Sequence, residues 1–320
     1  MSERIRRAYA INQWKPNFDD FTRRDQHLRA FKVIAACGFT GVELHAGTGR
    51  WDPLGRPASI AANYGSTKDF VRLLADVGID AITSWYFDPG APIEEELSHG
   101  RSILDAAQHP AIANTGRELA DFLAEAHGDR LVVRALPSAW QVSGLSDDQI
   151  ATAARGWNAV GAAVAEAGVK VSLHADALSA AADERILEAL LDATDPDLVG
   201  LTVDTAELTI AGLDPVATYE RHHRRVDHVQ LKDARCRDDD GERLQPHAEQ
   251  DLMQAGGVRE VERWFYECGT AGGLVDFARL MERMRDHGYG GWVVFESDQS
   301  PNPSRSVMLN GWYARHVLAL

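Results

Sequence analysis

Cysteine is scarce in this chain: Cys37, Cys236 and Cys268 are the only three in 320 residues, with no metal-like spacing among them. An odd, scattered set excludes a disulfide framework and reads as reduced structural thiols of a cytosolic protein. Positive charge is also short, 33 Lys and Arg against 48 Asp and Glu, for a net charge of −15. That balance argues against a nucleic-acid backbone or an anionic membrane surface as partner, and suits a small neutral or metal-chelated substrate. No uncharged apolar run approaches the length of a bilayer span. The basic start, MSERIRRAYAINQWKP, has no long apolar core behind it, so no signal peptide is expected. Internal repeats and low-complexity linkers are missing too. The expectation is a cytoplasmic protein with one domain over residues 1–320.

What the chain does have is a series of short apolar strands, each ending in a metal-capable or proton-transferring residue. They read GFTGVELH to His45, GVKVSLHAD with His174, LVGLTVDTAEL with Asp204 and Glu207, VDHVQLKDA with His228, Gln230 and Lys232, and GWVVFESD with Glu296. Strands are expected at about 8–13, 41–45, 78–87, 130–137, 169–174, 199–204, 226–232 and 291–296. Alanine- and leucine-rich stretches of helical periodicity separate them. Ser66 or Thr67 is a candidate N-cap, and SDDQ opens the long helix over 146–167 with a capping pattern. Strict alternation of eight strands with eight helices predicts a right-handed (β/α)₈ (TIM) barrel. Two segments exceed ordinary connections, about 46–66 and 234–274. Loops this long are usually lids, binding loops or interface elements.

Strand residues two apart share a face, so His228, Gln230 and Lys232 point the same way. Thr202 and Asp204, Ser172 and His174, Val294 and Glu296, and Glu43 and His45 pair likewise. Polar groups at such positions are costly unless they are hydrogen-bonded or bind something. A parallel barrel gathers its strand C-termini around one mouth, where such barrels do chemistry. Residues distant in sequence are therefore expected to converge there.

At these motifs the sequence resembles the xylose-isomerase-like barrels grouped as sugar phosphate isomerases/epimerases. LTVDTAELTIAGLDP, HVQLKDA and GGLVDFARLMERMRDHGYGGWVVFESDQSP look like the second half of an inosose dehydratase. AYAINQWKPNFDDF, GFTGVELHAGTGRWDPLG, PSAWQV and HVQLKDA look more closely like the α subunits of bacterial C-glycoside deglycosidases, which cleave 3-oxo-C-glucosides by elimination. The resemblance implies one divalent ion held by a residue from each of strands five to eight, commonly Glu, Asp, His and Glu. By motif, the Asp falls on Asp204 and the last Glu on Glu296. His174 replaces the strand-five Glu and Gln230 the strand-seven His, two departures. The implied ligand set is His174, Asp204, Gln230 and Glu296. Its mixed nitrogen and oxygen donors favour Mn²⁺ over Mg²⁺, with Co²⁺ or Zn²⁺ as other occupants.

Losing the strand-five Glu removes the symmetrical carboxylate pair of a ketose 3-epimerase, and favours a one-sided elimination. His45, Glu207 and Lys232 are then the candidate catalytic groups, with His174 a further base if it is not a ligand. Trp14, Glu43 and Trp140 are candidate sugar contacts. The resemblance also implies a small β subunit as partner, for which Trp51, Trp264, Phe265 and Tyr266 are candidate anchors. The alternatives are an inosose-dehydratase-like or ketose-epimerase-like enzyme acting on a small polyol ketone, and a non-catalytic sugar-binding barrel.

Overall fold

The computed structural model describes residues 5–14, 24–46, 53–90, 100–142, 144–245, 265–297, 300 and 302–320. Eight strands form a closed, all-parallel barrel in sequence order: β1 (Arg6–Ala10), β2 (Gly41–His45), β3 (Ala81–Phe87), β4 (Arg130–Arg134), β5 (Lys170–His174), β6 (Val199–Asp204), β7 (Val226–Leu231) and β8 (Trp292–Phe295). β8 closes the ring on β1, with Ala8 opposite Val294. Around it lie α1 (Arg24–Ala36), α2 (Pro57–Tyr64), α3 (Thr67–Asp76), α4 (His109–Glu125), α5 (Asp147–Ala165), α6 (Glu184–Ala193), α7 (Thr205–Ile210), α8 (Pro215–His222), α9 (Phe277–Asp286) and α10 (Pro303–His316). Among the described residues no helix is long and apolar enough to cross a membrane.

Local sequence explains the two best-defined helix starts. Ser66 accepts from the Asp69 N–H and Asp69 returns the bond to the Ser66 N–H; Ser146 and Gln149 repeat the exchange ahead of α5. Each box satisfies two N–H groups that a helix start leaves open. Ile150, Ala153, Trp157, Val160 and Val164 then form the buried stripe of α5, at the spacing that keeps one helix face on the core. Trp157 anchors it, its Nε1–H donating to the Ala135 carbonyl over 2.8 Å at the end of β4. Each such apolar side chain is worth roughly 1.5–3 kcal/mol when fully buried.

Several boundaries differ from the sequence expectation, β3 starting at Ala81 and β4 ending at Arg134 among them, and three differences bear on the site. β1 ends at Ala10, and Ile11–Trp14 turns into a 3-10 helix in which Asn12 donates to Glu296 and Gln13 to the Ser297 carbonyl. The segment read as a loop over 46–66 contains α2, entered through Pro57, at the helix position where a missing N–H costs nothing. β6 runs into α7 without a loop, because the Asp204 carboxylate caps the helix by accepting from the Glu207 N–H at 2.9 Å.

Beside an apolar patch of Ala8, Ala10, Trp292 and Val294, the barrel interior from β5 to β7 is polar, where barrels usually carry branched apolar layers. At its lower end Thr202 donates to Ser172 and Ser172 to Asp227, at 2.8 and 2.7 Å. Arg130 and Lys170 lie 3.7 and 3.5 Å from the other Asp227 oxygen. Gly200 makes room for that carboxylate: a Cβ there would meet it at 2.1 Å.

Candidate active site

One layer above this plug, Glu43 on β2 is almost fully buried and meets donors from two other strands. Gln230 Nε2 donates to its Oε1 over 2.6 Å, while His228 Nε2 and Ser84 Oγ reach its Oε2 at 2.9 and 2.7 Å. Gln230 Oε1 is buried and meets no hydrogen-bond donor among the described residues. An unpaired buried acceptor costs on the order of 1–3 kcal/mol.

At the mouth, Lys232 follows β7 and is only 2% exposed. Its ammonium lies 3.1 Å from Glu207, 3.2 Å from Asp204 and 3.8 Å from Glu296. The Phe265 ring covers it, with Nζ 4.5 Å from the ring centre, a cation–π contact. Burial is the main force raising the Glu207 carboxyl above its usual range, with Lys232 opposing and Asp204 adding to the rise. Its second oxygen accepts from the Ala177 N–H at 2.7 Å.

His174, the last residue of β5, stands between two carboxylates: Nδ1 is 3.1 Å from Asp176 and Nε2 is 3.3 Å from Asp204. Burial pulls the imidazole down, but Asp176 and Asp204 outweigh it and hold His174 well above its ordinary range. Asp176 is pushed far below the carboxylate range: burial works against this, and His174, Arg134 and Tyr86 prevail. Tyr86 donates to Asp176 over 2.9 Å, and Arg134 reaches Asp88 at 3.2 Å. His45 joins the cluster through Tyr86, stacking on it at 4.6 Å, while Tyr86 meets His174 edge-on at 5.4 Å.

The structure thus draws His174, Asp204, Glu207, Lys232 and Glu296 into direct contact, with Gln230 and Glu43 beneath. Trp14 packs edge-on against Tyr9 at 6.3 Å, and Trp140 is 38% exposed after β4. Trp51 and Trp264 lie outside the described residues. Tyr266 pairs with Asp233 as an antiparallel bridge and carries Arg235 over its ring at 3.8 Å. Sequence reasoning missed Asp176, Tyr86 and Arg134. The HAD spacing was the available signal, since it puts Asp176 two residues beyond His174.

Among the described residues no three His, Cys, Asp or Glu side chains are gathered as a cation cage. Lys232 instead stands against Asp204 and Glu296. Three of the expected donors still offer oxygens suited to a divalent ion: Gln230 Oε1 is buried and without a donor among the described residues, and Asp204 and Glu296 supply two carboxylates, while both nitrogens of His174 meet carboxylates. Loading such an ion requires the ammonium to turn aside.

The comparisons agree with the barrel. The family model "Xylose isomerase-like TIM barrel" matches residues 31–311. An inosose dehydratase of Lacticaseibacillus casei is 30% identical over 156 residues, 49% of each chain. The chain thus spans about half the length of that curated relative. The rhizopine catabolism protein MocC of Rhizobium meliloti is 28% identical over 243 residues, covering 74% of this chain and 68% of that one. Among solved structures, the probable 3-DHS dehydratase AsbF of Bacillus anthracis superposes with a TM-score of 0.73 at 13% identity, covering 98% of this chain and all of the other. The 3-keto-D-glucoside 4-epimerase YcjR of E. coli gives 0.60 at 17% identity, covering 98% and 99%. From its closed eight-stranded barrel and a match spanning nearly its whole length, the chain belongs to the xylose isomerase-like TIM barrel family.

Proposed function

We propose that the chain is a lyase that removes a proton α to the ketone of an oxidised sugar and expels the β-substituent. The observation that carries this reading is the buried cluster in which Lys232 faces Asp204, Glu207 and Glu296 with His174 alongside. A proton α to a carbonyl is weakly acidic, so the site must hold a base near it and stabilise the enediolate that forms. Glu207, beside Lys232, is one proton-transfer group, and His174, beside Asp204, is a second where it does not hold an ion. The Lys232 ammonium donates toward the oxygen that gains charge.

In the preferred reading the substrate is a 3-oxo-C-glucoside, and the chain is the α subunit of a C-glycoside deglycosidase. A base takes the C2 proton, and the C–H pair becomes the C2=C3 double bond of an enediolate. When the C3 carbonyl re-forms, the pair moves to C1=C2 and the C1–aglycone bond breaks. The electrons leave on the aglycone carbon, which takes a proton from an acid of the site. The products are free aglycone and a 2-hydroxy-enone sugar. Glu207, raised by burial, suits the acid role. A divalent ion, Mn²⁺ in the first instance, would be held by Asp204, Glu296, Gln230 and His174, and supplies Lewis-acid stabilisation of negative oxygen when bound. A small β subunit is proposed to close the mouth and exclude water.

Incubating the chain, its companion subunit and Mn²⁺ with 3-oxo-C-glucosides should release aglycone, read by chromatography. No release from either C- or O-linked aryl substrates would sink the reading. A second reading has water as the leaving group from an inosose, and the similarity to inosose dehydratases favours it. Loss of water from a keto-inositol by the purified chain alone, with no action on 3-oxo-glucosides, would select it.

A further inference from the structure

We propose that Glu43 is a positioning residue: its carboxylate takes the Gln230 amide N–H and so commits the Gln230 Oε1 lone pair to a bound cation. The inference deepens the reading above and rests on Gln230 being a cation ligand. A glutamine amide presents either a donor or an acceptor depending on a half-turn of its terminal bond. A carboxylate offers only acceptors, so the 2.6 Å contact with Glu43 Oε1 admits the NH₂ group and rejects the carbonyl oxygen. The half-turned amide would place two oxygens at that distance. Oε1 is therefore left facing away from Glu43, buried and without a donor.

Glu43 is itself held from turning. His228 Nε2 and Ser84 Oγ both reach its other oxygen, from β7 and β3. Three donors on one buried carboxylate fix its plane and offset its desolvation. This arrangement also explains how Gln230 can stand where the family resemblance implies a histidine. A ligating histidine usually gives its second N–H to a carboxylate or carbonyl, which sets the ring and raises its basicity. Glu43 does the same for an amide. It polarises the N–H side and enriches the amide oxygen. On this account Glu43 acts through Gln230 and does not touch substrate.

The test uses the full chain stripped of metal, titrated calorimetrically with Mn²⁺ at neutral pH. Wild type should bind one ion. E43Q, whose amide can serve Gln230 as donor or acceptor, should bind about tenfold to a hundredfold more weakly. The double variant E43Q/Q230E exchanges the pair: the introduced amide donates to the introduced carboxylate, and affinity should return to at least the wild-type value. Unchanged binding in E43Q, or a double variant as weak as E43Q, would overturn the proposal. A second measurement needs neither variant nor metal. With glutamine-selective ¹⁵N labelling, one Gln230 side-chain proton in the metal-free protein should be shifted downfield and exchange slowly; a free-amide shift with fast exchange overturns the positioning. Wild type that binds no Mn²⁺ but keeps this NMR signature would reject the cation-ligand reading, and the commitment to a cation with it, while the lyase reading and the Glu43–Gln230 contact stand.

Discussion

Lys232 brings a single ammonium to three buried carboxylates, Asp204, Glu207 and Glu296. Replacing it with an apolar chain of similar length leaves those charges without a counter-ion, which typically costs about 3–5 kcal/mol. Lys232→Met should therefore melt well below wild type without metal. It should also gain more than wild type in melting temperature on Mn²⁺ addition, because the ion no longer competes with the ammonium. An equal Mn²⁺ response in the two proteins would count against a shared position. The His174–Asp176 pair gives a pH signature. His174 is raised, so its contribution is whole below about 6.5 and fades as pH climbs through the higher folded value. Asp176 is lowered, so its contribution is whole above about 3.9 and fades as pH falls through the lower folded value. The melting-temperature gap between wild type and Asp176→Asn should be widest between about pH 4 and 6.5 and narrow on both sides. A gap that keeps one size from pH 4 to 9 would reject the pairing. Asp204, Glu207 and Lys232 could be read from strand parity and motif. Asp176 was within reach of the HAD spacing, two residues beyond His174, whereas Tyr86 was not, because it meets His174 only across the neighbouring strand β4, which no local pattern records.

β2 and β6 have the bounds expected from sequence, since each apolar run is bracketed by a glycine or helix stop and a polar end. β1 ends earlier because Asn12 and Gln13 find their partners on the segment after β8, across the closing seam. α2 was hidden by the surrounding Gly and Pro, and only Ile60 and Tyr64 are buried along it. The capping boxes were legible because their bonds are local. Ser146→Ala should cost about 1 kcal/mol and leave the chemistry intact; an activity loss larger than the stability loss would mean that α5 does more than hold the wall. Where the chain leaves β7, Asp233 accepts from the Ala234, Gly269 and Val275 N–H groups at 2.9, 3.1 and 3.3 Å. This carboxylate ties both ends of the excursion that carries Phe265. Asp233→Ala strands those donors, at about 1–3 kcal/mol for a buried unsatisfied group. Faster proteolysis within 234–274 is the expected readout, with α5 and α6 protected; unchanged cleavage would show that other contacts hold the loop.

For the molecule as a whole, the proposed companion subunit makes activity a property of the assembly. The purified chain alone should turn over slowly on a 3-oxo-glucoside, and adding the companion should raise kcat with the proposed Mn²⁺ requirement unchanged. Full activity without it would mean that the chain closes its own mouth. A different consequence follows from the seamless passage of β6 into α7. Asp204 is at once the last strand residue and the helix cap, and Glu207 lies one turn on. The spacing of these two carboxylates is thus inherited with the barrel wall, whereas Phe265 arrives on a segment clipped at Asp233. Descent with modification can then exchange the roof and what it recognises while the proton chemistry beneath passes on unaltered. One ancestral enolising barrel could in this way give rise to enzymes that expel water and enzymes that expel an aromatic ring.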